Sequence, residues 1–116
     1  MAIASTLIFS GCYYDIADKL YPKSSCDTTN ITYSKTIVPI LQSNSCFTCH
    51  GGAASAGGNI SLDTYDGLKV YAQNGHLMGT INQDAGFSAM PLGGNKVNSC
   101  DINKITLWIS AGIPNN

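Results

Sequence analysis

The segment CFTCH, residues 46–50, constrains the fold of this chain more than any other feature of its sequence. It puts two cysteines three residues apart and a histidine directly after the second. In a helix, residues three and four positions apart lie on one face, so a single turn can bring Cys46, Cys49 and His50 together. Two thiols and an imidazole on one turn suit a redox dithiol, part of a zinc site, or an attachment point for haem.

The surroundings of the cluster favour haem over the other two chemistries. A redox dithiol of the thioredoxin type begins a helix after a buried strand, whereas here a segment of helical period precedes the cluster and the Gly-rich loop 51–59 follows it. A zinc site needs one more thiol, usually from a second close-spaced pair, but Cys26 and Cys100 stand apart in the sequence. Haem accounts for the spacing, because each thiol can add to one vinyl group and His50 can then bind the iron.

The second axial position of such a haem has three candidates in the sequence: His76, Met78 and Met90. Met90 precedes Pro91 in the irregular segment GFSAMPLGG, which can lay its backbone close to a porphyrin face. A methionine and a histidine are a common axial pair in c-type haems. His76 would give bis-histidine ligation, and Met78 is more typical of a methionine that fills a gap in a core. We therefore expect Met90 to be the sixth ligand.

Composition limits the class of protein. A chain of 116 residues suits one domain. Its net charge is −1, with six lysines, no arginine and no glutamate, so it lacks the clustered basic residues that binding of nucleic acid requires. Five cysteines are many for a cytosolic chain of this length and indicate an oxidising compartment.

The first residues predict processing and attachment to a membrane. Residues 1–11 are apolar and uncharged, and this run is too short to span a bilayer. The tetrapeptide FSGC, residues 9–12, resembles a bacterial lipoprotein signal, in which small residues precede a cysteine that is lipidated. We predict a signal peptide at 1–11, lipidation of Cys12, a tether at 12–25 and a domain at 26–116. This arrangement would hold the domain on the periplasmic side of a bacterial membrane.

Hydrophobic periodicity predicts an all-α fold with no strand. Helical spacing occurs in residues 31–41, with Thr32 or Asn30 as the N-cap, and again in residues 63–72. Pro39 lies inside the first pattern and is expected to kink that helix or loosen one turn. A third helix is predicted at residues 99–111, with Ser99 as its N-cap and Gly112 as its stop. The glycines and Pro91 of residues 74–98 predict a long irregular stretch, which in a small domain is usually functional or wrapped on a ligand.

At this point the chain resembles a monohaem class I cytochrome c over residues 31–116. The resemblance is carried by CFTCH, by AMP at residues 89–91 and by a last helix that contains Trp108. The lipoprotein-like start and the segment SAMPLGG are similar to small c-type haem lipoproteins of Bacteroidetes-type bacteria. The resemblance implies the class I cytochrome c fold, in which three main helices and their loops surround one covalently bound haem c.

The resemblance also implies a role for each site residue. Cys46 and Cys49 would form the haem thioethers, His50 would be the proximal iron ligand and Met90 the distal one. In that family the first and last helices are neighbours, so a disulfide between Cys26 and Cys100 is expected.

The function implied is that of an electron carrier rather than an enzyme. It would act as a monomer between redox donor and acceptor proteins that the sequence does not identify. The alternative is a haem enzyme or gas sensor, resembling a small peroxidase, with an open distal site and His76 as its polar distal group. The absence of arginine from the sequence leaves such a site without an obvious partner for acid–base chemistry.

Overall fold

The computed structural model describes residues 26–116, and these residues are helical without any strand. The all-α class is therefore confirmed for this part of the chain. The predicted signal peptide, the tether and the lipidated Cys12 lie outside the described residues. Within residues 26–116, no helix is both long enough and apolar enough to cross a membrane. The α-helices are α1 (Val38–Ser43), α2 (Cys46–His50), α3 (Tyr65–Gln73), α4 (His76–Ile81) and α5 (Ser99–Ser110).

The predicted first helix is divided by the effect of Pro39. A π-helical turn, Tyr33–Ile37, precedes α1 and is capped by the Thr32 side chain, which accepts a hydrogen bond from the Lys35 N–H. Proline has no N–H to donate and its ring crowds the carbonyl of the preceding turn in a regular helix. The wider π turn relieves that crowding, and Pro39 then lies in the first turn of α1, where a missing N–H is tolerated.

The starts of two helices differ from the predictions. Helix α3 begins at Tyr65, because the hydroxyl of Thr64 caps it by accepting from the Gly67 N–H at 3.1 Å. Helix α5 is capped by Asn98 and not by Ser99, whose predicted capping role was wrong. The Asn98 side chain accepts from the Asp101 N–H at 2.9 Å and donates to the Asp101 carboxylate at 2.8 Å. It therefore provides an acceptor for a backbone N–H at the helix end and a donor for the Asp101 side chain.

The prediction that residues 74–98 are irregular throughout was wrong, because α4 lies within this stretch. Helix α4 begins after Gly75, which has a positive φ of 85°. Its glycines suggested a loop, but Gly79 is a buried packing position rather than a turn. Leu77 and Ile81 are buried beside it, so tertiary burial stabilises a short helix that local propensity alone does not favour.

The core joins the two ends of the described chain. The π turn packs against α5, and α3 packs against α4. Tyr33 and Trp108 stack with ring centroids 6.0 Å apart, and the Trp108 indole N–H donates to the Pro114 carbonyl at 3.0 Å. The Tyr65 hydroxyl donates to the Ile113 carbonyl at 2.6 Å. The largest fully buried side chains are Trp108, Ile37, Leu41, Leu68 and Ile105.

The two cysteines that the resemblance pairs lie at disulfide distance. Cys26 and Cys100 are bonded in the structure, with their Cα atoms 5.5 Å apart, which is an ordinary separation for a disulfide. The bond fastens the start of the described chain to the first turn of α5.

Candidate functional site

The CFTCH cluster forms a single helical turn, α2, that lies beside a cavity. Ser45 precedes the turn with a φ of 58°, in the left-handed region, and Gly51 ends it in an extended conformation. Cys46 and His50 are half-buried, whereas Cys49 is exposed. All three side chains line one cavity of about 250 Å³. The short helix thus presents both thiols and the imidazole to the same space.

The His50 ring is held in one tautomer. Its Nδ1 lies 2.9 Å from the Ile60 carbonyl oxygen, and because a carbonyl can only accept, Nδ1 must carry the proton. The Nε2 lone pair is then free to bind a metal, which is the arrangement that orients most metal-binding histidines. The Leu62 N–H also donates to the His50 carbonyl at 2.7 Å, so the loop after α2 fixes both the backbone and the ring.

Gly57 completes the support of the His50 ring. A Cβ built at this glycine would collide with His50 Nδ1 and with the Cys49 carbonyl oxygen. The loop that follows the cluster therefore passes so close to the imidazole that only glycine fits. The abundance of glycine in residues 51–58, which the sequence predicts as a loop, has a packing reason at this position.

A second cavity adjoins the first and extends it away from the cysteines. Its volume is about 290 Å³. Ligand pockets usually have volumes of roughly 300–1,000 Å³. Each of the two cavities alone lies just below this range, and the two together lie within it. No lysine or aspartate lines either cavity among the described residues. The residues common to both cavities are His50, Leu62, Leu77, Thr80 and Met90.

The three candidates for a second axial ligand occupy different positions. Met90 lines both cavities, as His50 does, and its N–H donates to the Thr80 carbonyl at 3.1 Å. His76 lines only the larger cavity, away from the cysteines. Met78 is not among the lining residues of either one; it packs against the core, with its sulfur 4.0 Å from the Thr106 hydroxyl. The structure therefore brings Met90 and His50 to a common space and leaves Met78 outside it.

The cysteines do not fit the two other chemistries well. Burial raises the pKa of the Cys46 thiol above its ordinary value, whereas the attacking thiol of a redox dithiol has a lowered pKa. Cys26 and Cys100 are bonded to each other and cannot complete a zinc site. Within residues 26–116, no group of three His, Cys, Asp or Glu side chains could hold a metal ion.

The residues fit a covalently bound haem. They supply two free thiols on one helical turn, an imidazole with Nε2 unprotonated, a thioether sulfur and a largely apolar space. Phe87 also lines the larger cavity. Sequence reasoning did not find Ile60, Gly57 or Phe87 as parts of this site. A backbone carbonyl has no signature in the residue type, and the close approach of a glycine or an aromatic ring is visible only after the chain has folded.

No protein-family profile, curated protein or solved structure matches the chain. Its interpretation therefore depends on the geometry of the site itself.

Proposed function

We propose that the chain is an electron carrier, a monohaem class I cytochrome c. Haem c would be attached through Cys46 and Cys49, with His50 as the proximal iron ligand and Met90 as the distal one. The observation that carries this proposal is the pair of adjoining cavities that His50 and Met90 both line, with the two free cysteines at one end. The all-helical fold and the contact between the π turn and α5 are compatible with this family.

When bound by two axial ligands, haem supplies one-electron chemistry, and a methionine thioether stabilises its ferrous form and raises its potential. The chain's own residues orient and shield it. The Ile60 carbonyl, by accepting from Nδ1, increases the basicity of His50 as a ligand. Buried Leu62 and Leu77 line both cavities and would keep water from the centre of the group. Low dielectric around the iron is one of the means by which a protein sets a redox potential.

The charge distribution supports docking through an uncharged surface. The cavity linings contain no lysine or aspartate, and Leu92, which lines the smaller cavity, is 81% exposed. Charged patches accelerate association through long-range steering, which weakens steeply as salt is added. We expect electron transfer with the unidentified donor and acceptor to depend only weakly on ionic strength. In this proposal the monomer is lipid-anchored through Cys12 on the periplasmic side of a bacterial membrane.

His76 is the observation in favour of the second candidate, a haem enzyme or gas sensor with an open distal site. It lines the larger cavity together with His50 and Met90, so a polar distal group is available there. The second candidate requires Met90 to leave the iron free. It lacks an arginine to assist acid–base chemistry on a bound ligand, because the sequence contains none.

The test is expression of the full chain with haem-maturation machinery, followed by a pyridine haemochrome assay and oxidised and reduced absorption spectra. We expect a c-type haemochrome and the weak far-red band of a methionine bound to ferric iron. Met90→Ala should abolish that band and allow carbon monoxide to bind, whereas the matched control Met78→Ala should retain it. A c-type haem that binds carbon monoxide without any substitution would favour the open-site candidate. Absence of covalent haem would exclude both.

A further inference from the structure

The loop that carries Met90, residues 82–98, is fastened to helix α4 by backbone hydrogen bonds. The Asp84 N–H donates to the Gly79 carbonyl at 2.9 Å, and the Met90 N–H donates to the Thr80 carbonyl at 3.1 Å. Both acceptors belong to the last turn of a helix of six residues. The Asn82 and Gln83 N–H groups also donate to carbonyls of α4, so the start of the loop is firmly joined to the helix. Beyond residue 84, the bond from Met90 is the only backbone hydrogen bond from the described part of this loop to α4. A single bond is a modest restraint, so the position of the Met90 sulfur depends on what else holds this loop.

The Phe87 ring supplies that further restraint. A Cβ built at Gly79 would lie 2.6 Å from three atoms of the Phe87 ring, Cγ, Cδ1 and Cε1. The ring therefore lies directly against the backbone of α4 at a position that only glycine allows. Phe87 remains 38% exposed, so part of its surface faces solvent and the rest is covered by this contact and its neighbours.

The Phe87 ring also contacts His76, the alternative candidate for the second axial ligand. The Phe87 and His76 rings meet edge to face, with centroids 5.5 Å apart and an interplanar angle of 80°. His76 is the first residue of α4 and Gly79 the fourth, so Phe87 covers one turn of this helix. Phe87, His76 and Met90 all line the larger cavity.

We propose that Phe87 is a positioning residue that selects Met90 over His76 as the second axial ligand. This inference rests on the proposed function. The contact with Gly79 holds the loop so that Met90 stays beside the cavity, and the edge-to-face contact holds the His76 imidazole against the Phe87 ring. Removing the ring releases both candidates together. Met90 loses its restraint while His76 gains freedom to reach the iron.

The first experiment compares the full-length wild-type holoprotein with Phe87→Ala. We expect the far-red methionine band to disappear, the reduction potential to fall, and carbon monoxide to remain excluded because His76 replaces Met90. The double variant Phe87→Ala/His76→Ala should then bind carbon monoxide. A readout independent of the iron is hydrogen exchange at the Met90 amide, which should become about tenfold faster when the contact with Gly79 is lost.

Gly79→Ala provides a second way to displace the ring. Alanine is a better helix former than glycine, but its Cβ cannot coexist with the present position of Phe87. This variant should lose the methionine band without a general loss of helical structure. Phe87→Leu keeps apolar bulk at the position and should retain more of the band than Phe87→Ala. Val70→Ala is the matched control, since Val70 is 53% exposed and lies on α3, outside the lining of both cavities.

The outcomes separate this inference from the function on which it rests. Loss of the band in both Phe87→Ala and Gly79→Ala, with Val70→Ala unchanged, supports the positioning role. A band and a Met90 amide exchange rate that persist in both variants overturn it, while the proposed electron carrier stands. If the single variant Phe87→Ala binds carbon monoxide, His76 has not replaced Met90, and the role assigned to His76 is overturned. A wild-type chain without covalent haem overturns the proposed function and the ligand choice together.

Discussion

Loss of the disulfide between Cys26 and Cys100 should remove a large part of the stability of the domain. The bond spans 74 positions of the sequence. In the chain-entropy account, closing a loop of this size restricts the unfolded chain by an amount worth about 4 kcal/mol. Domains are typically stable by roughly 5–15 kcal/mol. The double variant Cys26→Ser/Cys100→Ser should therefore unfold at a much lower urea concentration and remain folded only marginally.

The measurement is urea denaturation of the holoprotein, followed by far-ultraviolet circular dichroism, at neutral pH. The unconstrained unfolded chain should also expose more surface, which would raise the slope of the free energy against urea concentration. Wild-type protein treated with a thiol reductant is the control and should match the double variant, because reductants cleave disulfides and leave thioethers intact. A loss of less than about 1 kcal/mol in both samples would refute the entropic reasoning.

Three further predictions concern the core, the support of His50 and the loop after the cluster. Trp108→Ala should lower the free energy of unfolding by about 3–5 kcal/mol, since Trp108 is 1% exposed. A loss below about 2 kcal/mol in urea denaturation would show instead that neighbouring side chains move in and fill the cavity left by the indole. Gly57→Ala should cost about 1–3 kcal/mol by overpacking and should shift the His50 ring resonances in nuclear magnetic resonance spectra; unchanged resonances would contradict the close contact. Hydrogen bonds donated by the Gly52 N–H and the Ser61 hydroxyl hold the pKa of Asp63 below its ordinary value of 3.8. Because the folded pKa is the lower one, these bonds stabilise the fold above the unfolded pKa and the effect is lost as pH falls through the folded pKa. Wild type should therefore melt above Asp63→Asn at neutral pH, and the two melting temperatures should converge in acid; a gap independent of pH would exclude this cause.

The sequence predicted the segments whose burial pattern is regular. Helix α5 has its apolar residues at helical spacing, and Ile105 and Trp108 are both about 1% exposed in the structure. The prediction of a kinked or loosened turn at Pro39 was confirmed by the π turn before α1, because the missing N–H and the bulky ring act locally. Helix α4 was missed, since its six residues include Gly79 and follow Gly75, and its stability comes from burial rather than propensity.

The candidate site likewise has one part that a local sequence pattern predicts and another part that only the folded structure shows. The cysteine and histidine spacing of CFTCH is a local pattern, so the sequence alone predicts a turn that presents Cys46, Cys49 and His50 together. The choice among His76, Met78 and Met90 depends on distances between residues far apart in the chain. The structure packs the partly buried Met78 against the core near Thr106, as its residue type suggested. No spacing rule could predict that Met90 and His50 line the same cavities.

By itself, the sequence determined the helical class of the described residues, the position of the cluster and the chemistry that its three side chains can carry. These follow from periodicity and from residue type, which act within one or two helical turns. Only the tertiary structure decided that the Ile60 carbonyl fixes the tautomer of His50, that Gly57 lies against its ring and that Phe87 packs on Gly79. Each of these contacts joins separate segments, and their geometry is set by how the whole core packs rather than by any local preference.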